Sequence, residues 1–274
     1  MLVFWLLSLG LYAPVFVCLE RTWRSQLDYS HGYFVLPFSC YILWVRRHSF
    51  VFSVASRRWL LVGCGFLAAG QVTRILGIFS NILWFEGLSL LVFLPGFTAI
   101  FLGRDGIRWA LPAMGFLFFM IPLPSPVGGQ LTGLLQSIAT FSSTFALQTL
   151  GIPAYSEGNV IILTSGSIGV AEACSGVRML FTFLALTVGA CFVVNRSLSE
   201  KSIIAASAIP IAIISNCIRI TATGITYELA GARWADFVSH DVSGWLMMPL
   251  GFLLLYLFLS VLGRSVQRSP LGPL

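Results

Sequence analysis

The stretch AEACSGVRML at 171–180 joins a polar loop to an apolar run that continues to residue 194. It places Cys174 at the junction and Arg178 one helical turn later. A nearby cation and the amino end of a helix both favour thiolate over thiol, so a cysteine in this setting is a candidate nucleophile. Because a lone free cysteine more often packs as a small apolar residue, the prediction depends on where the chain places its other polar residues.

Composition defines the broad class of protein. Hydrophobic residues make up 57% of the 274 residues and charged residues only 9%, whereas soluble domains carry about 25% charged residues. Apolar runs that can cross about 30 Å of hydrocarbon lie at 1–19, 32–45, 59–79, 82–102, 109–123, 174–194, 202–220 and 243–262. We therefore predict an all-α polytopic membrane protein, a bundle of about eight transmembrane helices that forms a single domain over 1–274.

The basic residues predict the orientation, because Lys and Arg accumulate in short cytoplasmic loops. They follow the second, fourth, sixth and eighth apolar runs: Arg46, Arg47, Arg57, Arg58, Arg104, Arg108, Arg196, Lys201, Arg264 and Arg268. Arg21 and Arg24, directly after the first run, are the exception. We predict a multi-pass protein of the inner (cytoplasmic) membrane with both termini inside. The net charge of +6 then reflects anchoring to anionic membrane lipid, and we predict no nucleic-acid partner.

The segment at about 123–173 contains no basic residue and is too polar for a clean span. Polar side chains recur there at every fourth position, namely Thr132, Gln136, Thr140, Thr144 and Gln148. This pattern predicts an uncharged amphipathic helix that either lies in the outer interface or crosses the membrane with its polar stripe toward a cavity. Crossing would move the later basic residues outside, so we favour the interfacial position. The run Asn159 to Leu163, between glycines, predicts a short β-like hairpin or loop over the outer face.

Three polar features come together under this topology. Cys174 begins the sixth span at the outer surface, Arg219 in SNCIRI ends the seventh there, and His240 in SHDVSGW precedes the eighth there. Helices joined by short loops can bring such ends into contact, and ionisable groups at membrane depth usually mark function. A nucleophile, a cation and a base are the parts that acyl transfer through a thioester requires.

The chain resembles the exosortase and archaeosortase family of membrane-embedded cysteine transpeptidases. The resemblance lies in SHGYFVLPFSCYILWVRR at 30–47, GIPAYSEGNVIIL at 151–163, EACSGVR at 172–178, NCIRI at 216–220 and the His240 region. It implies that Cys174 is the nucleophile of a cysteine peptidase or transpeptidase, Arg219 its essential arginine and His240 the third catalytic residue. It also implies that the partners are exported proteins with a carboxyl-terminal sorting tail, made of a motif such as Pro-Glu-Pro, an apolar helix and a basic end.

Four further residues are candidates for substrate binding. Arg178 either binds a substrate carboxylate or lowers the pKa of the thiol, and Asn216 either satisfies helix backbone or orients Arg219. His31 either substitutes as the base or holds its own loop, and Glu172 lies in the same motif as the nucleophile. The scattered His and Cys residues show no metal-ligand spacing, so we predict no metal and no cofactor.

Two alternatives stay open. In a transporter or polysaccharide-export factor, Arg178 and Arg219 would bind an anionic lipid-linked head group and Cys174 would be incidental. The chain lacks the paired broken helices in matching halves that are typical of such transporters. Separately, Cys217 could form a disulfide with Cys174 in an oxidising exterior.

Overall fold

The computed structural model describes residues 2–50, 55–170, 176–194, 196–238 and 243–267. The chain divides into two compact units. The first comprises Met1–Val127 with Phe192–Asn195, and the second comprises Gly128–Cys191 with Arg196–Leu274. The single domain over 1–274 stays a prediction.

The first unit is helical. Its helices are α1 (Leu2–Ser25), α2 (Gly32–Val45), α3 (Arg57–Ser80) and α4 (Leu83–Phe116), which continues into a 3-10 turn at Leu117–Met120. Helix α4 is broken at Gly103, whose backbone (φ 62°, ψ −153°) leaves the helical region. Since φ values in this range favour glycine, the break occurs where the chain tolerates it.

The second unit combines helices with a small sheet. In chain order its elements are α5 (Ser125–Thr149), β1 (Ala154–Glu157), β2 (Val160–Leu163), β3 (Gly166–Gly169), α6 (Gly176–Val193), α7 (Leu198–Ala206), α8 (Ala208–Ala230), α9 (Ala232–Phe237) and α10 (Ser243–Gln267). The strands form an antiparallel sheet in the order β1-β2-β3. The predicted short β run is therefore present as β2 and belongs to a three-stranded sheet.

Several helices confirm a multi-pass membrane protein. Within the described residues, four helical stretches are long and apolar enough to cross a membrane: Arg57–Ser80, Leu83–Met120, Gly176–Val193 and Leu198–Ala230. Gly32–Val45 and Pro249–Val261 are shorter apolar helices. The predicted count of about eight transmembrane helices is not confirmed. The runs predicted at 82–102 and 109–123 are two helical parts that fold back on each other at Gly103, because Oγ1 of Thr98 lies 3.8 Å from the sulfur of Met114 and a Cβ at Gly87 would lie 2.8 Å from Cγ2 of Ile121.

Helix α5 turns the middle of its polar stripe toward the protein, where Thr140 and Thr144 are buried, whereas Gln148 at its end is exposed. Thr140 is 2% exposed, whereas the next residue, Phe141, is 74% exposed. The hydroxyls of Thr140 and Thr144 donate to the carbonyls of Gln136 and Thr140 at 2.8 Å, so these inward side chains are satisfied within their own helix. The predicted amphipathic helix is confirmed as a helix, and its position relative to the bilayer stays a prediction.

Helix α8 joins two hydrophobic clusters of the second unit. The sheet cluster contains buried residues of α5, the strands and α8: Ala139, Leu147, Ala154, Ile161, Leu163, Ile168, Val170 and Ile220. The helix cluster contains buried residues of α6, α8 and α10: Met179, Phe183, Ala208, Ile211, Ala212, Met247 and Leu255. The part of α8 between Ala212 and Ile220 therefore lies between the two clusters.

Helices α3 and α4 pack through small residues. The glycines of α3 recur every seventh residue at Gly63, Gly70 and Gly77, and all three are buried. A Cβ at Gly63 would lie 2.8 Å from the carbonyl oxygen of Gly96, and a Cβ at Gly96 would lie 2.9 Å from that of Gly63. Because lipid offers little hydrophobic force to drive helices together, such close backbone contact is a main source of their association.

A leucine at position 63 should separate these helices. We expect Gly63→Leu to destabilise the protein by about 1–3 kcal/mol, since the added side chain meets backbone that cannot move away freely. Gly65→Leu, two residues along the same helix, is the matched control because a Cβ at Gly65 has nothing within 4 Å. Thermal unfolding in detergent should show a lower Tm for Gly63→Leu alone; equal Tm values for the two variants would contradict the packing.

Candidate active site

The structure describes four of the seven predicted site residues. Three lie outside the described residues: Glu172, Cys174 and His240. Arg178, Asn216 and Arg219 belong to the second unit, and His31 belongs to the first. The geometry below therefore concerns Arg178, Asn216, Arg219 and their described neighbours, and the role of Cys174 stays a prediction.

Val170 directly follows strand β3. Its backbone N–H donates to the carbonyl oxygen of Asn159 at 2.9 Å. Its side chain is fully buried in the sheet cluster, which also contains Ile220 of α8. The chain therefore leaves the sheet from a fixed residue, and this residue shares a cluster with the direct neighbour of Arg219.

Gly176 is the first residue of α6. A Cβ at Gly176 would lie 3.2 Å from Nδ2 of Asn216 and 3.3 Å from Cβ of Leu135. These residues border a small cavity of about 10 Å³, lined by Leu135, Ala139, Gly176, Ala212, Ile213 and Asn216. Glycine at this position thus allows α8 to lie against the first turn of α6.

Asn216 is the polar residue of the cavity. It is 3% exposed, and its Oδ1 has no hydrogen-bond partner among the described residues. A buried acceptor that stays unsatisfied costs about 1–3 kcal/mol. Asn216 therefore presents a strong acceptor beside the start of α6.

Arg219 lies within α8 rather than at the end of the helix, and its position at the end of the seventh membrane span stays a prediction. The apolar run stops near residue 220, but the helix continues to Ala230. The hydroxyls of Thr223 and Thr226 donate to carbonyls four residues earlier at 3.0 and 2.8 Å. The hydroxyls of these polar residues are thus satisfied within the helix. Arg219 consequently lies one turn after Asn216, a spacing that puts two side chains on neighbouring positions of a helix.

Arg178 and Cys217 lie on the same two helices. Arg178 is partly buried in the first turn of α6, two residues after Gly176. Cys217 is a free cysteine of α8, and because Cys174 lies outside the described residues the disulfide between the two stays a prediction. Its Sγ is 4.0 Å from the Thr221 hydroxyl on the next turn of the same helix.

His31 has a structural contact in the first unit. Its Nε2 lies 3.0 Å from the carbonyl oxygen of Phe119, and the indole of Trp23 donates to that of Met120 at 2.9 Å. Both carbonyls are at the end of a 3-10 turn, where backbone acceptors lack partners within the helix. Gly32 lies directly under the Trp23 ring, where a side chain would clash. This explains the His-Gly pair; the role of His31 toward a substrate stays a prediction.

Burial lowers the pKa of His31, which is 7% exposed. The carbonyls of Phe119 and Asp28 and the Asp28 carboxylate oppose this shift in the pKa without reversing it. A neutral ring with a proton on Nε2 satisfies the contact with Phe119.

Gln136 and Asn159 contact each other, although the sequence predicted no site role for either residue. The side-chain amide of Asn159 donates to Oε1 of Gln136 at 3.0 Å. Asn159 belongs to the EGN stretch and Gln136 to the polar stripe, so both lie in patterns that the sequence shows. Their pairing could not be read from the sequence because 23 positions separate them.

These features define a multi-pass membrane protein whose second unit holds polar residues between packed helices. The family model for transmembrane exosortases (Exosortase_EpsH) matches residues 23–257. This match covers most of the chain, so the protein belongs to the transmembrane exosortase family, and the resemblance is confirmed. A search of curated proteins and a search of solved structures find no match.

Acid should destabilise the protein through His31. Its native pKa lies below the unfolded value of about 6.5, so the unfolded chain binds more protons and stability falls as the pH drops below about 6.5 toward the native pKa. We expect His31→Gln to reduce the loss of Tm between about pH 8 and about pH 5.5, because glutamine can donate the same hydrogen bond without titrating. His48→Gln, at an exposed site, should keep the wild-type loss. An unchanged loss in His31→Gln would refute this role.

Proposed function

We propose that this protein is a membrane cysteine peptidase or transpeptidase that cleaves the carboxyl-terminal sorting tail of exported proteins through a thioester on Cys174. Membership of the exosortase family supports the class of activity. The observation that carries the assignment of residues is the contact of Gly176 with Asn216, one turn before Arg219.

Covalent geometry limits the distance between Cys174 and this contact. Two peptide units join Cys174 to Gly176, so their Cα atoms are at most about 7.6 Å apart. A Cβ at Gly176 would lie 3.2 Å from Asn216, and Val170 shares the sheet cluster with Ile220. These neighbours support the proposal that the thiol acts next to Arg219.

The reaction follows from these groups. His240 assists deprotonation of Cys174, and the thiolate attacks the carbonyl carbon of the scissile peptide bond. Arg219 stabilises the negative oxygen of the tetrahedral intermediate. The intermediate collapses with cleavage of the C–N bond, and His240 gives its proton to the leaving amine. The exported protein is left as a thioester, and an amine or water attacks this thioester to restore the thiol.

The proposed substrate suits a membrane-embedded enzyme. A tail with its own apolar helix would dock laterally against the outer helices and hold its motif at the extracytoplasmic surface, so orientation replaces much of a three-dimensional search. The buried Oδ1 of Asn216 is suited to accept a backbone N–H of the motif. Glu172 and Arg178 flank the nucleophile, and Arg178 either binds a carboxylate of the motif or lowers the pKa of the Cys174 thiol.

Loss of the thiol should abolish cleavage. We expect Cys174→Ala and Cys174→Ser to process a secreted reporter carrying a Pro-Glu-Pro tail at least about 10³-fold more slowly, because the nucleophile is removed. Cys217→Ala is the matched control and should process normally. Immunoblots of the reporter distinguish the two forms by size. Normal processing in Cys174→Ala would overturn the enzyme proposal and favour a transporter or export factor.

Lysine should replace Arg219 poorly. Lysine keeps the charge but loses the planar fork of donors, and loss of an oxyanion donor typically lowers kcat by about 10²-fold or more. We expect this decrease for Arg219→Lys with purified enzyme and a tail peptide. Arg233→Lys, at an exposed position of the same unit, should keep the wild-type kcat. A wild-type kcat for Arg219→Lys would remove Arg219 from the mechanism.

A further inference from the structure

We propose that Gln71 and Arg74 of α3 bind the phosphate group of an anionic phospholipid. Both residues lie in the first unit, and the site does not depend on the activity proposed for Cys174. The proposal rests on two buried donor atoms, on the charge around them and on the apolar surface beside them.

Arg74 is an ionisable residue inside an apolar helix. Helix α3 is long and apolar enough to cross a membrane, and Arg74 lies six residues before its end at Ser80, or about 9 Å along the axis. Its guanidinium carbon is 5.1 Å from the ring centroid of Tyr12, a residue of α1 that is 1% exposed. The side chain is therefore held against the protein. Ionisable groups in this setting usually mark function.

Two donor atoms of this helix lack a partner. Nε of Arg74 and Nε2 of Gln71 are buried, and neither atom has a hydrogen-bond partner among the described residues. The two residues are three positions apart, so their side chains lie on neighbouring positions of the helix. Both atoms can only donate, and a buried donor without an acceptor is costly. A phosphate oxygen is the complementary group, because it accepts hydrogen bonds and carries negative charge.

The charge of Arg74 is not neutralised by a direct contact. The hydroxyl of Tyr12 donates to the carbonyl oxygen of Ser89 at 3.3 Å, so Tyr12 offers Arg74 only the face of its ring. Glu86 of α4 packs against Gly77, with 2.8 Å between its Cγ and an added Cβ. Within the part of the chain that the structure describes, no ion pair joins Glu86 to Arg74. The site therefore favours an anion.

The surface beside Arg74 favours a lipid over free phosphate. Large apolar side chains of α3 on both sides of Arg74 in the sequence are exposed, namely Val72, Ile75, Leu76, Ile78 and Phe79. Acyl chains can lie along these side chains while the phosphate reaches the two donors. Free phosphate gains nothing from an apolar surface, whereas basic positions between membrane helices are suited to lipid head groups.

A purely structural role of Arg74 is the competing explanation. In that case Arg74 holds α1 against α3 through the ring of Tyr12, and phospholipid makes no difference. Gln71→Glu separates the two explanations. A glutamate three residues before Arg74 can pair with it, so the Tm without lipid should not fall. The added negative charge should nevertheless exclude the phosphate.

The test titrates the full-length protein in neutral detergent with dioleoyl phosphatidylglycerol and follows Tm, with native mass spectrometry to count bound lipid. We expect the lipid to raise the wild-type Tm to a plateau. Arg74→Gln and Gln71→Glu should weaken the apparent Kd at least about tenfold, because charge-assisted hydrogen bonds to the phosphate are lost. Arg58→Gln removes the same charge at an exposed position of α3 and should keep the wild-type Kd.

Three results would overturn the site: an equal Kd in the wild type, Arg74→Gln and Gln71→Glu; the same rise of Tm with dioleoyl phosphatidylcholine; or the same rise with inorganic phosphate alone. The first would leave Arg74 with a structural role, and the others would remove the selection for an anionic lipid. If Arg74→Gln fails to fold, Gln71→Glu decides. The readouts use no sorting tail, so loss of the proposed peptidase function would not change them.

Discussion

The contact between the start of α6 and the middle of α8 is the constraint on which the candidate site depends. Gly176 has no side chain, and Asn216 therefore lies directly against the first turn of α6. The same part of α8 runs between the sheet cluster and the helix cluster, so packing on both sides determines its position. Arg219 follows one turn later on the same helix, so the same packing determines where it lies. A larger residue at 176 would separate the helix that begins after Cys174 from the helix that carries the guanidinium.

Helix α5 buries both polar and apolar side chains. Thr140 and Thr144 are buried beside Ala139 and Leu147, whereas Phe141 and Phe145 are exposed. The inward hydroxyls bind their own helix backbone, so the buried stripe carries little unsatisfied polarity. Asn216 is different, because its buried Oδ1 has no partner among the described residues. A buried acceptor beside a cavity of this size can be satisfied by one ordered water.

Much of the fold could be predicted from apolar runs, since length and hydropathy determine which segments can enter a membrane. Residues 32–45 were predicted as a span and form α2 with the same limits. Apolar runs did not predict how far a helix continues beyond them: α8 extends to Ala230 through residues such as Thr223 and Thr226, whose hydroxyls bond to their own helix. At the site, motifs singled out Asn216 and Arg219, whose roles stay predictions, and the family match supports the class of protein. The pairing of Gln136 with Asn159 needed the fold, because it is a tertiary contact between a helix and a turn.

The central claim is that Cys174 carries the exported protein as a thioester beside α8. Its most direct test is to quench the reaction with acid during turnover of a tailed substrate and to map the modified peptide by mass spectrometry. The account predicts an adduct on Cys174 that joins its sulfur to the new carboxyl end of the substrate and is released by hydroxylamine. Turnover with an adduct on a different residue, or with Cys174 unmodified throughout, would contradict it.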